Sequence, residues 1–526
     1  MDGLGIEVSS AAQQPIRVEE PMPNFAMCLF VCHASAAMAV AQCTLQWASA
    51  NLNAGTGPGR LFAAQALPNG DLVVGGDFVG VDAVAANHIA RFDGTTWSPL
   101  GGGMDGPVTH VASLPNGAVV AIGSFTVAGG VPAAGIALWQ AGAWSAHPAA
   151  PAPPGTAWAV FADGRLATAY QVSTGPTSAT IAVELWDGTG WRTIGTGFGS
   201  SSTLPFPTVV DLAVSPHGDL LAAGTWQGMA PMGSAGPSGF RELVRWNGTT
   251  WDWFHDLPDP VALTVDERGD VLLANDRSIV RWDGTGWSTP AAVPLGIGIR
   301  ALGRLPGGDL VVAGLVGPAL PASPPLVELQ RIAIGSGQVS SLWFAPTPVA
   351  VHAEIDVLAL HRGGTLLVGG WFAAAAGQPA TNLAYLRAPC AATAVVQPTA
   401  CVGPGGALQL VATRLPWLGE TFAATTTGFV ANSFGVATFG LQSANVPLAS
   451  VVPQGLANCV LATSAEAVSL LVPVAGTAVS AFVVQNLPVF VGVTLAHQVL
   501  QVEFDPAIGL VSVSGSNALA LTVGVF

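Results

Sequence analysis

Apolar and polar positions alternate along most of this chain in short runs, each ending at a glycine or an Asn-Gly or Asp-Gly pair. Runs such as LVVGG at 72–76, rich in β-branched residues and bounded by turn residues, predict β-strands. One phrase returns along the first two thirds of the chain. LPNGDLVVGGDF at 67–78 reappears as LPNGAVVAIGSF at 114–125, FADGRLATAY from Phe161 and SPHGDLLAAGTW at 215–226. Later copies are ERGDVLLAND from Glu267, LPGGDLVVAGL from Leu305 and HRGGTLLVGGWF at 361–372. Their turn glycines, Gly70, Gly117, Gly164, Gly218, Gly269, Gly308 and Gly364, mark seven copies spaced 39 to 56 residues apart. A fixed repeat of this length reports architecture before chemistry.

A second phrase alternates with the first: FDGTTW at 92–97, WQAGAW at 139–144, WDGTGW at 186–191, WNGTTW at 246–251 and WDGTGW at 282–287. Asp-Gly and Asn-Gly favour tight hairpins because glycine accepts positive φ without steric cost. Taking Asp283-Gly284 as a two-residue turn places Trp282 opposite Thr285 and Val280 opposite Trp287, so that the tryptophans are diagonal neighbours on one face. Nine of the sixteen tryptophans sit in these five hairpins, which assigns most tryptophan to packing.

Each copy reads as four strands, and seven such units in series predict an all-β, seven-bladed β-propeller over residues 42–390. The period, the paired glycines Gly75-Gly76 and Gly369-Gly370 and the downstream tryptophan resemble kelch-like propellers, and more closely the repeats of secreted planctomycete-type proteins. That resemblance implies the fold and assigns no activity. The last copy lacks an outer strand and its tryptophan. The orphan segment CTLQWA at 43–48 is expected to supply both, pairing with residues 382–387 and closing the last blade. A Cys43–Cys390 disulfide would latch the closure, contributing roughly 4–5 kcal/mol on a chain-entropy model. From residue 391 the phrases stop. Apolar runs at 407–413, 468–474, 481–484 and 519–523 predict a C-terminal β-sandwich over 391–526, stapled by Cys401–Cys459. Its CVGPGGALQLVA, NCVLAT and GVTLAHQVLQVEFDP segments resemble a C-terminal module of exported planctomycete-type proteins.

Composition narrows the function. All sixteen basic residues are arginines, which removes Schiff-base and phosphate-loop lysines. A formal net charge of −15 with no basic stripe argues against nucleic acid. Residues 25–41 form an apolar run ending Ala39-Val40-Ala41, which reads as a secretory signal (residues 1–41) with cleavage after Ala41. It is too short and polar for a membrane span, so the mature chain is expected in the extracytoplasmic space or cell envelope with its four cysteines in disulfides.

Chemistry is expected on the face carrying the longer loops, since rigid scaffolds place functional residues there. Candidate binding residues are Trp226, Trp253, Phe254, His255, Asp256, Trp343 and Trp371, aromatic faces beside a few polar groups that suit a carbohydrate or protein partner. The competing reading is that these residues pack the loops onto the blades. A glycan-acting hydrolase or lyase would need paired carboxylates, for which Asp105, Asp256 and Asp259 are the loop acids at hand, with Asp82 and Asp276 beyond them. A purely structural envelope component is a third reading. No cofactor or metal is implied: copper-radical chemistry of the galactose-oxidase type needs a Tyr–Cys link, and only Tyr170 and Tyr385 exist.

Overall fold

The computed structural model describes residues 45–526, apart from 56, 151–154, 176–177, 201–206, 216, 228–239, 256–258, 266–268, 276–277, 293–296, 317–325, 334–337, 346–353, 376 and 389. The expected signal segment, Cys43, Asp256 and Asp276 lie outside the described residues.

Six four-stranded antiparallel sheets and one six-stranded sheet follow one another through the described repeat region. The first consists of Arg60–Ala66, Leu72–Asp77, Ile89–Phe92 and Trp97–Pro99. The innermost strands of the others are Val108–Ser113, Ala157–Val160, Thr208–Val214, Ala262–Val265, Ile297–Arg304 and Glu354–His361. Each inner strand packs on the next, and Glu354–His361 packs on Arg60–Ala66. In the seventh sheet, Glu354–His361, Thr365–Trp371 and Asn382–Arg387 are joined by Gln46–Asn53 from the start of the chain. There Trp47 lies opposite Leu386 and Ala48 opposite Tyr385. The segment from the start of the chain thus pairs with the strand expected for it.

The hairpin tryptophans act between sheets. The Trp144 indole donates to Leu100 O (2.8 Å), Trp191 to Ala149 O (2.9 Å) and Trp251 to Ile194 O (2.8 Å), each reaching back to the preceding repeat. Trp97 of the first sheet donates to the Tyr385 hydroxyl of the seventh, and Trp47 donates to Leu342 O of the sixth (3.3 Å). Trp47 therefore does for the seventh sheet what the repeat tryptophans do for the others. Buried indole N–H groups need such acceptors, and the carbonyls fix each sheet against its neighbour.

The hairpin register differs from the two-residue expectation. Trp282 lies directly opposite Trp287 and Arg281 opposite Ser288, so the connection is the four-residue Asp283-Gly284-Thr285-Gly286. The cause is the Asp283 side chain, which accepts the backbone N–H groups of Thr285 (2.9 Å) and Gly286 (3.0 Å). The Thr285 hydroxyl bond and these amides hold the Asp283 carboxyl down at about 2. Gly284 takes φ +93°, where only glycine is unstrained. The rings pack tilted with centroids 5.6 Å apart.

Aspartates that follow the turn glycines do more than form turns. Asp71 pairs with Arg91, Asp219 with Arg245, Asp270 with Arg281 and Asp309 with Arg331, tying second to third strand in four sheets.

Beyond residue 391, a three-stranded sheet (Gln409–Arg414, Thr421–Thr427, Thr477–Val483) faces a larger sheet. The larger sheet runs Thr393–Gln397, Ala518–Thr522, Thr494–Asp505, Ser433–Gly440, Ala467–Leu471, with Gly509–Gly515 paired to Thr494–Asp505. Leu410, Phe422, Ala424, Ala437, Val499 and Leu519 meet between them. Cys401 and Cys459 form the expected disulfide, with Cα atoms 4.4 Å apart. Cys390 is disulfide-bonded as well. Trp417 and Phe526 are buried with Leu305, Leu386 and Ala388 of the sixth and seventh sheets, and Trp417 lies over Gly364. The terminal region is thus seated on the side where the tight turns lie. No described helix is long and apolar enough to cross a membrane.

Candidate functional site

The first five sheets each turn two tight hairpins to one side, and the longer described connections run on the other. Strand direction makes this unavoidable: the inner strand leads into the Asn-Gly-type turn, and the third strand leads into the aromatic hairpin. The long-loop side therefore begins at Arg60, Val108, Thr208, Ile297 and Glu354, where inner strands start.

A recurring device shapes that side. The ladder between first and second strands slips by one residue at Phe62, Thr109, Val210, Arg300 and Asp356. Counted back from the turn glycine, these five residues are at the same position of their repeats. A β-bulge of this kind adds twist and re-aims the extra side chain. None of the five is buried, and Phe62 and Arg300 are exposed.

Across from each bulge stands a glycine: Gly76, Gly123, Gly224, Gly314 and Gly370. A Cβ on Gly76, Gly123 or Gly370 would lie 2.1 Å from a carbonyl oxygen of the inner strand. In the third and fifth repeats the equivalent residues are Tyr170 and Asn275, and the ladder there begins only at Ala157 and Ala262. The glycine six residues after the turn glycine is thus the sequence mark of the bulge.

The next residue inward is small or apolar in five repeats and polar in two, His110 and Asp211. Burial pushes the His110 imidazole down to about 4 and the Asp211 carboxyl up to about 7. The Asp211 carboxyl accepts the N–H of Leu212 (2.8 Å), which offsets part of the desolvation. At the rim, the Arg60 guanidinium bridges Asp356 (2.9 Å) and Glu354 (3.5 Å), joining the first and seventh sheets.

The expected binding residues divide into three sets. Phe254 packs edge-on against Trp282 and Trp287 at about 5 Å and beneath the Arg245 guanidinium. His255 stacks on Trp287 at 4.1 Å. Both are thereby engaged in inter-sheet packing. Trp371 ends its strand opposite Glu354, half-buried at the long-loop side. Trp226, Trp253 and Trp343 are placed by backbone alone on strands that run toward the same side. Among the loop acids, Asp105 accepts from Thr126 Oγ1 (2.6 Å) and from the Thr126 and Val127 amides (both 2.8 Å), with the Thr126 hydroxyl the main cause of its lowered pKa. It anchors its own loop. Asp82 likewise accepts the Asn51 N–H at 2.8 Å. No group of three or more His, Cys, Asp or Glu side chains among the described residues is arranged to hold a metal.

The opposite side carries a cavity of about 460 Å³ bordered by the turns of the first four sheets, including Pro68, Leu114, Phe161, Asp163, Arg165 and Ser215. Arg165 lies over the Phe161 ring at 4.4 Å and bonds Asp163 at 2.8 Å.

Residues 67–95 match the model of a family described as a β-propeller domain of unknown function, DUF5122. No curated protein matches the chain. Among solved structures, the chain is similar to the extracellular domain of a one-component system of B. thetaiotaomicron, with 9% identity, 92% of this chain and 58% of that one covered, and a TM-score of 0.35. It therefore spans somewhat over half that relative's length. It is also similar to PorZ, a surface component of the type-IX secretion system of Porphyromonas gingivalis (12% identity, 89% and 70% covered, TM-score 0.24). A glucose dehydrogenase matches at 11% identity, with 65% and 98% covered and a TM-score of 0.30. The matched segment takes in the turn, second strand, third strand and the start of the aromatic hairpin of the first sheet, so the repeat region of this nearly all-β chain is of β-propeller type.

Proposed function

We propose that the chain is an exported, non-enzymatic binding protein: a seven-bladed propeller closed by its N-terminal strand, followed by a β-sandwich. It holds a carbohydrate or protein partner at its long-loop face. The observation that supports this reading is the set of five bulges, which take Phe62, Thr109, Val210, Arg300 and Asp356 out of the ladder near the long-loop start of their inner strands. Mixed aromatic, hydroxyl and charged groups on a rigid rim suit recognition. Trp371, with Trp226, Trp253 and Trp343 on strands that run toward this side and Asp256 just beyond them in sequence, would extend that rim. The engaged state of Asp105 supports binding over hydrolysis, because a carboxyl held low by three donors is a poor general acid. Export is supported by the Cys401–Cys459 disulfide and the bonded state of Cys390, for which Cys43 is the proposed partner.

The test is binding of the purified chain to immobilised polysaccharides and cell-envelope extracts. Phe62→Ala with Trp371→Ala should abolish retention, whereas Pro115→Ala on the tight-turn side should leave it intact. Retention lost only with the tight-turn variant, or polysaccharide turnover abolished by Asp256→Asn, would overturn the reading.

A further inference from the structure

Of the twenty-one large apolar side chains exposed among the described residues, three lie in the repeat region (Phe62, Val79, Val131) and eighteen lie beyond residue 391. They concentrate on one segment. Val468 and Leu470, exposed by 63 and 66%, alternate on the outward face of the strand Ala467–Leu471, and Val472 and Val474, exposed by 76 and 75%, continue the row past its end across Pro473. Isolated exposed aliphatics are ordinary, but a row of them on one strand marks a contact surface.

The backbone of this segment is also incomplete. Ala467–Leu471 is the last strand of its sheet and pairs with Ser433–Gly440 alone. Its other side carries the alternate N–H and C=O groups of a sheet edge with no described strand against them. Natural edges are ordinarily blunted by Lys, by inward charges or by Pro within the strand. None is present in AVSLL, and no Asp, Glu, Lys or Arg occurs between Glu466 and Glu503. Glu466 itself is turned back, its carboxylate accepting Ser464 Oγ (2.6 Å) and the Leu441 N–H (3.1 Å).

We propose that this edge pairs with the same edge of a second copy of this chain, in antiparallel fashion, to make one sheet continuous through a two-fold dimer. An open ladder is satisfied by another strand and not by lipid, which has no N–H donors or carbonyls in register. Self-pairing suits this segment for an electrostatic reason. The chain carries a net charge of −15, so two copies repel over most of their surfaces, and this charge-free strand is where they approach without like charges opposed. Antiparallel pairing brings Val468 and Leu470 of each copy onto one shared apolar face.

Sedimentation equilibrium of the full chain tests this. A reversible monomer–dimer equilibrium is expected, with Val468→Lys and Leu470→Lys each weakening it by about tenfold or more. Both side chains point outward, so thermal midpoint and circular dichroism should stay unchanged, and Leu470→Ile should retain the dimer. Flotation with neutral phosphatidylcholine vesicles should leave the protein unbound. A chain monomeric at every concentration, a dimer indifferent to both lysines, or vesicle binding that Leu470→Lys abolishes would each overturn the proposal.

Discussion

The strands of the propeller and those beyond residue 391 share the same alternation, yet they dispose of their apolar faces in opposite ways. In the propeller each sheet has a neighbour on both faces, and Leu72, Ile89, Leu166 and Leu310 are fully buried. In the terminal region two sheets bury chiefly the faces they share, and Val411, Val468, Val479 and Val483 stand outside. Sheets stacked inner strand on inner strand leave few unmatched faces, whereas a pair of sheets leaves two outer faces and its edges. The comparison teaches that identical periodicity can specify interior in one architecture and contact surface in another.

The largest effect that would sharpen this contrast is expected at the seam. Trp417→Ala removes an indole buried among Leu305, Leu386 and Ala388 and should cost about 3–5 kcal/mol. Calorimetry should then resolve separate transitions for the two regions. A single unshifted transition would show that Trp417 does not couple them.

Next is Asp211. Its folded pKa is raised, so the folded state holds the proton more tightly than the unfolded state. Between about pH 4 and 7 the unfolded chain has lost that proton and the folded one has not, so stability falls as pH rises through this window. Asp211→Asn should therefore stabilise at pH 8, by up to roughly 4 kcal/mol, and change little at pH 4. His110 acts in the opposite sense, since its lowered pKa costs stability as pH falls from about 6.5 to 4. Denaturant titrations across this range check both signs.

Smaller still is Gly370→Ala. The added Cβ meets the Glu354 carbonyl, and the bulge at Asp356 cannot form without displacement, for a loss of about 1–3 kcal/mol. The least effect on stability is expected from Arg60→Ala. Its ion pairs are about 40% exposed and worth under roughly 1 kcal/mol, so the variant should show itself in partner retention at the rim and hardly in unfolding.

Much of the fold was legible because turn chemistry and alternation are local. The Asn-Gly and Asp-Gly turns, the orphan Trp47 and the strand opposite Leu386 could all be placed from spacing. The hairpin register was not, because it depends on a side chain, Asp283, capturing backbone amides and lengthening the loop. The bulges escaped for a different reason. Their own residues, Phe62, Thr109, Val210, Arg300 and Asp356, share no chemistry; the constant element is the glycine on the partner strand. The site was the least legible. Phe254 and His255 had the composition of a binding patch, and only packing against Trp287 shows what holds them. Exposure of Val468 and Leu470 was equally hidden, since alternation does not say which face is covered.

Hydrogen exchange on the full chain, measured dilute and concentrated, tests most directly the claim that one region keeps its apolar faces inside while the other offers them for contact. Amides of Ala467–Leu471 should gain protection with concentration, while those of Arg60–Ala66 and Asn382–Arg387 stay equally protected throughout. Concentration-independent exchange at Ala467–Leu471, or rapid exchange along Gln46–Asn53 and its partner strand, would contradict the account.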